Sequence, residues 1–230
     1  MKRRIAEGLL LVSCLASVFY AQPASPLAAP VTPPPPPSVG SIVEKDPALK
    51  AIVSSDSRIE RLAEGFIFTE GPVWLREGGE GLLFSDIPNN RIMKWSPDGK
   101  VTEFRKPSGY TGPPAPEGAY VGSNGLTLDK EGRLIICEHG DRRVTRLERD
   151  GKLTVLADKY QRKRLNSPND AVYKSDGSLY FTDPPYWLFD EKKKELDFQG
   201  IYPVQGTGVF RCYSREGRRL ARWLEGRHPR

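Results

Sequence analysis

Three polar residues recur at one place in a repeating pattern: Glu70, Asn124 and Asn169. Each opens a segment of the same make, namely a short apolar run, a turn carrying glycine, a second apolar run and an acidic end. One carboxylate and two carboxamides offer hard oxygen donors with little total charge. That donor set suits Ca²⁺, Mg²⁺ or Mn²⁺ better than a thiolate-seeking metal. The chain holds two histidines, His139 and His228, which excludes a three-histidine zinc site within it. Asn before Gly is also a turn former, and that reading stays open for Asn124. It does not serve Glu70, because glutamate is not a favoured turn residue.

The elements that must carry these residues follow from the repeat. The segments at 70–86, 124–138 and 169–183 are each followed by a second hairpin, at 91–104, 143–158 and 208–223. Their Asp-Gly, Glu-Gly and Gly-Gly pairs are hairpin turn signals, and the runs between them are rich in β-formers. Gly81, Gly132 and Gly177 mark the turns before the second strands. Two hairpins per unit, at roughly fifty residues per unit, predict an all-β chain of four-stranded propeller blades, about three of them within residues 60–230. A β-sandwich is the alternative, but it gives no reason for a polar residue at the same place in every unit. In a propeller the first strand of each blade lines the central channel, so the three opening residues face its axis. Pro47 to Ile59 reads as the one short helix. Cys137, on a second strand, and Cys212, on a third strand of the next unit, are expected to be separate buried thiols.

The ends of the chain carry other information. Lys2, Arg3 and Arg4 precede an apolar run from Leu9 to Tyr20, the pattern of a signal peptide over 1–21, too short for a comfortable membrane span. Leu11-Val12-Ser13-Cys14 also fits a lipobox, which would make Cys14 a lipid anchor, against the reading of Cys14 as an ordinary apolar residue of the leader. Residues 22–40 form a proline-rich linker, with Pro33 to Pro37 in one run, and 41–59 lead into the repeats. The chain is therefore expected to be secreted or periplasmic. Its net charge of +6 sits on the leader and on six arginines between 215 and 230, around a nearly neutral body. A phosphate footprint needs a basic stripe across a folded face, so nucleic acid is excluded as a partner.

The segments EGFIFTEGPVW (64–74), LLFSDIPNNRIMKW (82–95), SNGLTLDKEGRLIICEHGDRRVTRLE (123–148) and LNSPNDAVYKSDGSLYFTDPPY (165–186) carry a specific resemblance. Over about 130 residues the chain resembles the senescence-marker-protein/gluconolactonase/luciferin-regenerating-enzyme-like family of six-bladed propellers, and the secreted bacterial gluconolactonase branch in particular. The resemblance implies hydrolysis of a small sugar lactone with one divalent cation, Ca²⁺ first, with Zn²⁺, Mg²⁺ or Mn²⁺ as alternatives. It makes Glu70 and Asn169 metal ligands, and places Asn124, Asn169, His139 and Tyr186 around the substrate. The family's later Asn-Gly asparagine and its Asp-Gly base aspartate have no counterpart here, so the catalytic base is unassigned. Residues 60–230 suffice for about three of six blades. The sequence therefore reads as a fragment, or as a chain whose exposed blade face associates with a partner. A non-catalytic extracellular binding or scaffold propeller is the alternative function, and a related ester or phosphotriester hydrolase is another.

Other residues near the channel have their own expectations. His139, in Cys-Glu-His-Gly, is placed to hydrogen-bond a sugar hydroxyl or act as a base, or else to order its loop. Asp183, before Pro-Pro, reads as a turn former beside Tyr186. Arg142 and Arg143 are expected to pair between blades with the strand-end acids Asp86, Glu138 and Asp183. Trp74, Trp95 and Trp223 are expected to pack, and the loop over 106–122 to form a rim over the channel.

Overall fold

The structure is a computed structural model that describes residues 38–76, 79–186, 188, 193–205 and 208–209. The chain divides into two compact units, one ending at Glu60 and the other beginning at Arg61. In the first unit the predicted helix shrinks to one 3-10 turn, Pro47–Ala51. Asp46 caps it by accepting the Ala48 N–H, and Pro47 supplies the fixed φ of a helix start. No helix among the described residues is long and apolar enough to cross a membrane.

The second unit is built from three four-stranded antiparallel sheets in sequential order, the blades of a propeller. Blade one holds β1 (Thr69–Leu75), β2 (Gly81–Asp86), β3 (Arg91–Trp95) and β4 (Val101–Arg105). Blade two holds β5 (Ser123–Leu128), β6 (Leu134–Glu138), β7 (Arg143–Leu147) and β8 (Leu153–Ala157). A two-stranded ribbon, β9 (Lys159–Tyr160) and β10 (Lys163–Arg164), precedes blade three. That blade holds β11 (Ala171–Tyr173), β12 (Leu179–Asp183), β13 (Gly200–Gln205) and β14 (Gly208–Val209).

One turn chemistry closes four of the hairpins. In Ser96–Lys100, Asp129–Arg133, Glu148–Lys152 and Lys174–Ser178 the glycine N–H returns to the first residue's carbonyl. Those glycines, 99, 132, 151 and 177, all have φ between 74° and 85°, where a side chain would clash. Gly81 is different: it is the first residue of β2, and the left-handed glycine of its hairpin is Gly79.

Blade three departs from the expected register. The third strand is Gly200–Gln205, and residue 208 already begins the fourth. Pairing of Leu179 with Val204 and of Asp183 with Gly200 buries Tyr202 and Val204 against the core, and this sets the strand. The Arg-Glu-Gly at 215–217, Cys212 and Trp223 lie outside the described residues.

The core lies between blades. Leu83 and Ile92 of blade one meet Leu126, Leu134 and Ile136 of blade two. Ile135, Cys137 and Val144 of blade two meet Leu179, Phe181, Tyr202 and Val204 of blade three. Successive residues of β6 therefore face opposite neighbours, which is why Leu-Ile-Ile-Cys reads as a continuous apolar run. Cys137 is a free, buried thiol there, and burial pushes it well above the ordinary range. Phe181 stacks on Tyr202 at 5.1 Å between ring centres. Trp74 packs at 6.3 Å from Trp95 and remains 39% exposed.

The blades also touch backbone to backbone at their inner strands. A Cβ added to Gly71 would lie 2.3 Å from the Asn124 carbonyl oxygen, and one on Gly125 would lie 2.6 Å from that of Asn169. Gly125→Ala must therefore push two inner strands apart, at a cost of about 2 kcal/mol. Urea unfolding of this variant against the wild type checks the expectation, and an unchanged midpoint would contradict the close approach.

Candidate functional site

The inner strands bring the three repeated polar residues together. Glu70, Asn124 and Asn169 line one cleft of about 210 Å³, with Asp170 beside them and Gly71 and Gly125 in its wall. Aligning the strand pairings shows why: Thr69 lies opposite Asp86 and Ser123 opposite Glu138, each one residue before its opener, and Asn169 bonds Thr182, one residue before Asp183, so the three openers occupy equivalent places in their blades. The ladder is interrupted between Glu70 and Val73 and again between Ser123 and Leu126. These bulges take Gly71 and Gly125, the residues after the first two openers, out of regular pairing and into the cleft wall. In blade three β11 starts at Ala171, and Asn169 and Asp170 precede it, tied to Thr182 by two backbone hydrogen bonds.

Each opener is held differently. Asn124 is only 6% exposed, and its carbonyl accepts the Ser85 hydroxyl at 2.8 Å, while Ser85 Oγ also meets Ser123 Oγ at 2.7 Å. Asn169 is half-buried and its carbonyl accepts the Gly125 N–H at 2.7 Å. Glu70 is exposed, with its carboxylate 3.4 Å from the N–H of Gly71. Sequence reasoning passed over Asp170, although it stands in the quoted Asn-Ser-Pro-Asn-Asp segment. It occupies the place that glycine holds in the first two blades.

The acids that end the second strands are all buried, but their partners differ. Asp86 accepts Arg91 at 2.9 Å, Asn89 at 2.7 Å and the backbone N–H of Ile67 and Phe68. Burial pushes its carboxyl up, but the bonds from Asn89, Arg91 and those two amides together hold it below the ordinary value. Glu138 instead accepts Arg143 at 2.6 Å and the Thr145 hydroxyl, and burial leaves it raised. Asp183 accepts the N–H of Asn166 and of Ser167, each at 2.7 Å. Burial drives it up to about 7, against the pull of those amides and of Arg142. Asp183 is thus a buried clamp on the segment before Asn169 rather than a simple turn former.

The arginines correct a second expectation. Arg91 and Arg143 pair with Asp86 and Glu138 inside their own blades, across the hairpins β2–β3 and β6–β7. Arg142 does reach toward the next blade, with its hydrogen bonds to backbone: its Nε donates to the Leu165 carbonyl at 2.6 Å and its Nη1 to that of Lys193 at 3.1 Å, and the acid it pairs with is Glu195 at 3.9 Å and not a strand-end acid. Asn90 holds the equivalent turn position in blade one. Both have left-handed φ, 52° for Asn90 and 60° for Arg142. Asn90 Oδ1 accepts the N–H of Ser108, Gly109 and Tyr110, which fixes the start of the long loop before β5.

His139 and Tyr186 meet each other, with rings 6.4 Å apart, but they do not line the Glu70 cleft. The imidazole is 1% exposed, and its Nδ1 lies 3.2 Å from the Tyr120 carbonyl. A carbonyl only accepts, so Nδ1 carries the hydrogen and Nε2 keeps its lone pair. Nε2 has no partner among the described residues. Burial pushes His139 down to about 4, with the Tyr120 carbonyl pulling the other way. Tyr120 also packs on Phe68 at 5.2 Å, so the loop over 106–122 lies across both the Glu70 lead-in and His139. A larger cleft of about 610 Å³ on blade two is lined by charges such as Glu131, Arg133 and Glu148, which pair with one another.

Known proteins resemble this chain in sequence and fold. The chain is 38% identical over 176 residues to a gluconolactonase of Zymomonas mobilis, a match that covers 74% of this chain and 49% of that protein. A solved gluconolactonase from Xanthomonas campestris superposes with a TM-score of 0.59 at 32% identity, covering 70% of this chain and 52% of that one. The chain thus spans about half the length of these relatives. Residues 68–216, from the lead-in of Glu70 through all three inner strands, match the profile described as the SMP-30/Gluconolactonase/LRE-like region, and the chain belongs to that family.

Proposed function

We propose that the protein hydrolyses a small sugar lactone, with one divalent cation held in the cleft of Glu70, Asn124 and Asn169. The observation that carries this reading is the convergence of one carboxylate and two carboxamides from equivalent positions of three blades. The donor chemistry fits a hard cation, Ca²⁺ first and Zn²⁺, Mg²⁺ or Mn²⁺ as alternatives: all three residues bring oxygen, and only one brings full charge. Glu70 and Asn169 would be its ligands in this chain. When bound, such an ion supplies Lewis acidity toward the lactone carbonyl.

The remaining roles belong to the chain's own groups. Asn124, with its backbone pinned by Ser85, presents a carboxamide that both donates to and accepts from a hydroxyl. Neutral His139 is buried with Nε2 shielded from solvent, so it orders the Tyr120 loop, and the exposed ring of Tyr186 beside it offers an apolar face to a sugar. The relatives named gluconolactonase support the substrate class. The leader at 1–21 and the proline-rich segment, which lie outside the described residues, support export to the periplasm or beyond.

The reading predicts hydrolysis of glucono-1,5-lactone by the purified protein, lost with EDTA and restored by Ca²⁺. Rates equal to buffer under every condition would leave a non-catalytic binding role instead. Calorimetric titration of Ca²⁺ should show Glu70→Gln losing more affinity than Asn169→Ala, by about 10-fold or more, because carboxylate charge dominates the holding of a hard cation.

The same residues set a pH signature. Unfolded, His139 takes up a proton below about 6.5, whereas folded it resists until about 4. The unfolded state thus binds more protons in that window, and stability rises with pH across it, fully present above 6.5. Asp183 acts oppositely, since its raised value makes stability fall as pH climbs from 3.8 toward 7. The clean measurement is therefore the difference in unfolding free energy between wild type and His139→Gln. It should grow by about 3 kcal/mol from pH 4 to 6.5 and then stay flat. A difference independent of pH would mean that folded His139 takes up its proton as readily as the unfolded chain does, which contradicts its burial.

A further inference from the structure

We infer that Asp86 and Asp183 are positioning residues, which set Glu70 and Asn169 respectively by gathering the two backbone amides ahead of each. The inference rests on the reading of the Glu70 cleft as the working site. The two aspartates hold equivalent places at the ends of β2 and β12, and both are fully buried. Asp86 Oδ1 accepts the N–H of Ile67 at 3.2 Å and of Phe68 at 3.5 Å, three and two residues before Glu70. Asp183 spends one oxygen on the N–H of Asn166 and the other on that of Ser167, three and two residues before Asn169. The same carboxylate fixes the same stretch of backbone in both blades.

Blade two supplies the contrast. Its strand-end acid is Glu138, one methylene longer, and it turns to Arg143 and Thr145 instead. The equivalent amides before Asn124 go elsewhere: Val121 N–H to the Ala119 carbonyl and Gly122 N–H to the Ile87 carbonyl, while Ser123 N–H goes to the Ser108 hydroxyl. The carbonyls of that segment are still held by its own blade, Val121 by the Gly140 N–H and Gly122 by the His139 N–H, but among the described residues no carboxylate gathers its amides as Asp86 and Asp183 do. Blade three leans hardest on its aspartate. In blade one the N–H of Ile87 also bonds the Phe68 carbonyl, but the equivalent residue after Asp183 is Pro184, which has no N–H.

The test uses hydrogen exchange of individual amides, referenced to those of β6, together with Ca²⁺ titration. Asp183→Asn replaces one acceptor with a donor that faces an N–H. It should speed exchange over Asn166–Asp170 by about tenfold relative to β6, with Asp86→Asn doing the same over Ile67–Gly71. Glu138→Gln, equally buried, should lower the melting temperature while leaving both segments unchanged relative to β6. Both aspartate variants should weaken Ca²⁺ binding about tenfold and Glu138→Gln should not. Asp183→Glu keeps the charge but overreaches the two amides, so it should fail to rescue. Should Asp183→Asn not fold, Asp86→Asn carries the test on its own segment. The inference is overturned if the Glu138 variant matches the aspartate variants, or if exchange over the two segments is unmoved. A wild type that takes up no Ca²⁺ removes the metal reading, while the exchange rates still decide the positioning role.

Discussion

The hydrogen bond from the Gly125 amide to the Asn169 carbonyl, at 2.7 Å, marks the constraint on which the rest of this structure depends. Inner strands of successive blades must come close enough for their backbones to touch, and only a residue without Cβ leaves room for that. Gly71 admits the Asn124 backbone and Gly125 admits that of Asn169. Once the strands are that close, the residues just before the two glycines, Glu70 and Asn124, have nowhere to go but the shared cleft. The apolar layers between the blades follow, because the same approach brings β6 within packing distance of both neighbours.

Much of this was legible in the chain. The turn glycines, the alternating runs and the recurrence of one polar residue are local signals, and they place three blades and the three cleft residues. Less legible were features decided by partners far along the chain. Two stretches near the C-terminal end compete for the third strand of blade three: one containing Pro203, the other followed by an inviting Arg-Glu-Gly turn. The burial of Tyr202 and Val204 against β12 settles the matter, and no short window contains that information. Arg142 was misread for a related reason. A charge suggests an opposite charge, but its short bonds are to carbonyls of Leu165 and Lys193, and a carbonyl leaves no mark on a sequence. The helix expected over 47–59 reduced to one turn, and the run Ser54, Ser55, Asp56 and Ser57 that follows is made of residues that disfavour a helix interior.

The buried acids show how finely the surroundings divide one residue type. Asp86 and Asp183 sit alike at strand ends and both accept backbone amides, yet one is held below the ordinary carboxylate range and the other driven to about 7. The difference lies in side-chain donors: Asp86 accepts Asn89 at 2.7 Å as well as Arg91, and the Asp183 carboxylate has only backbone amides in direct contact. Arg91 lies 2.9 Å from Asp86, whereas Arg142 acts on Asp183 only through space, having given its short bonds to backbone. Burial then dominates where direct compensation is missing.

The left-handed turn residues give the assembly a direction in time. Asn90 closes on Ser108, Gly109 and Tyr110, and Arg142 closes on Leu165 and Lys193, in each case on chain that follows. A ribosome releases the turn before it releases the turn's partners. Each latch can therefore shut only once the lead-in to the next blade is in place, which ties the finishing of one hairpin to the chain that follows it.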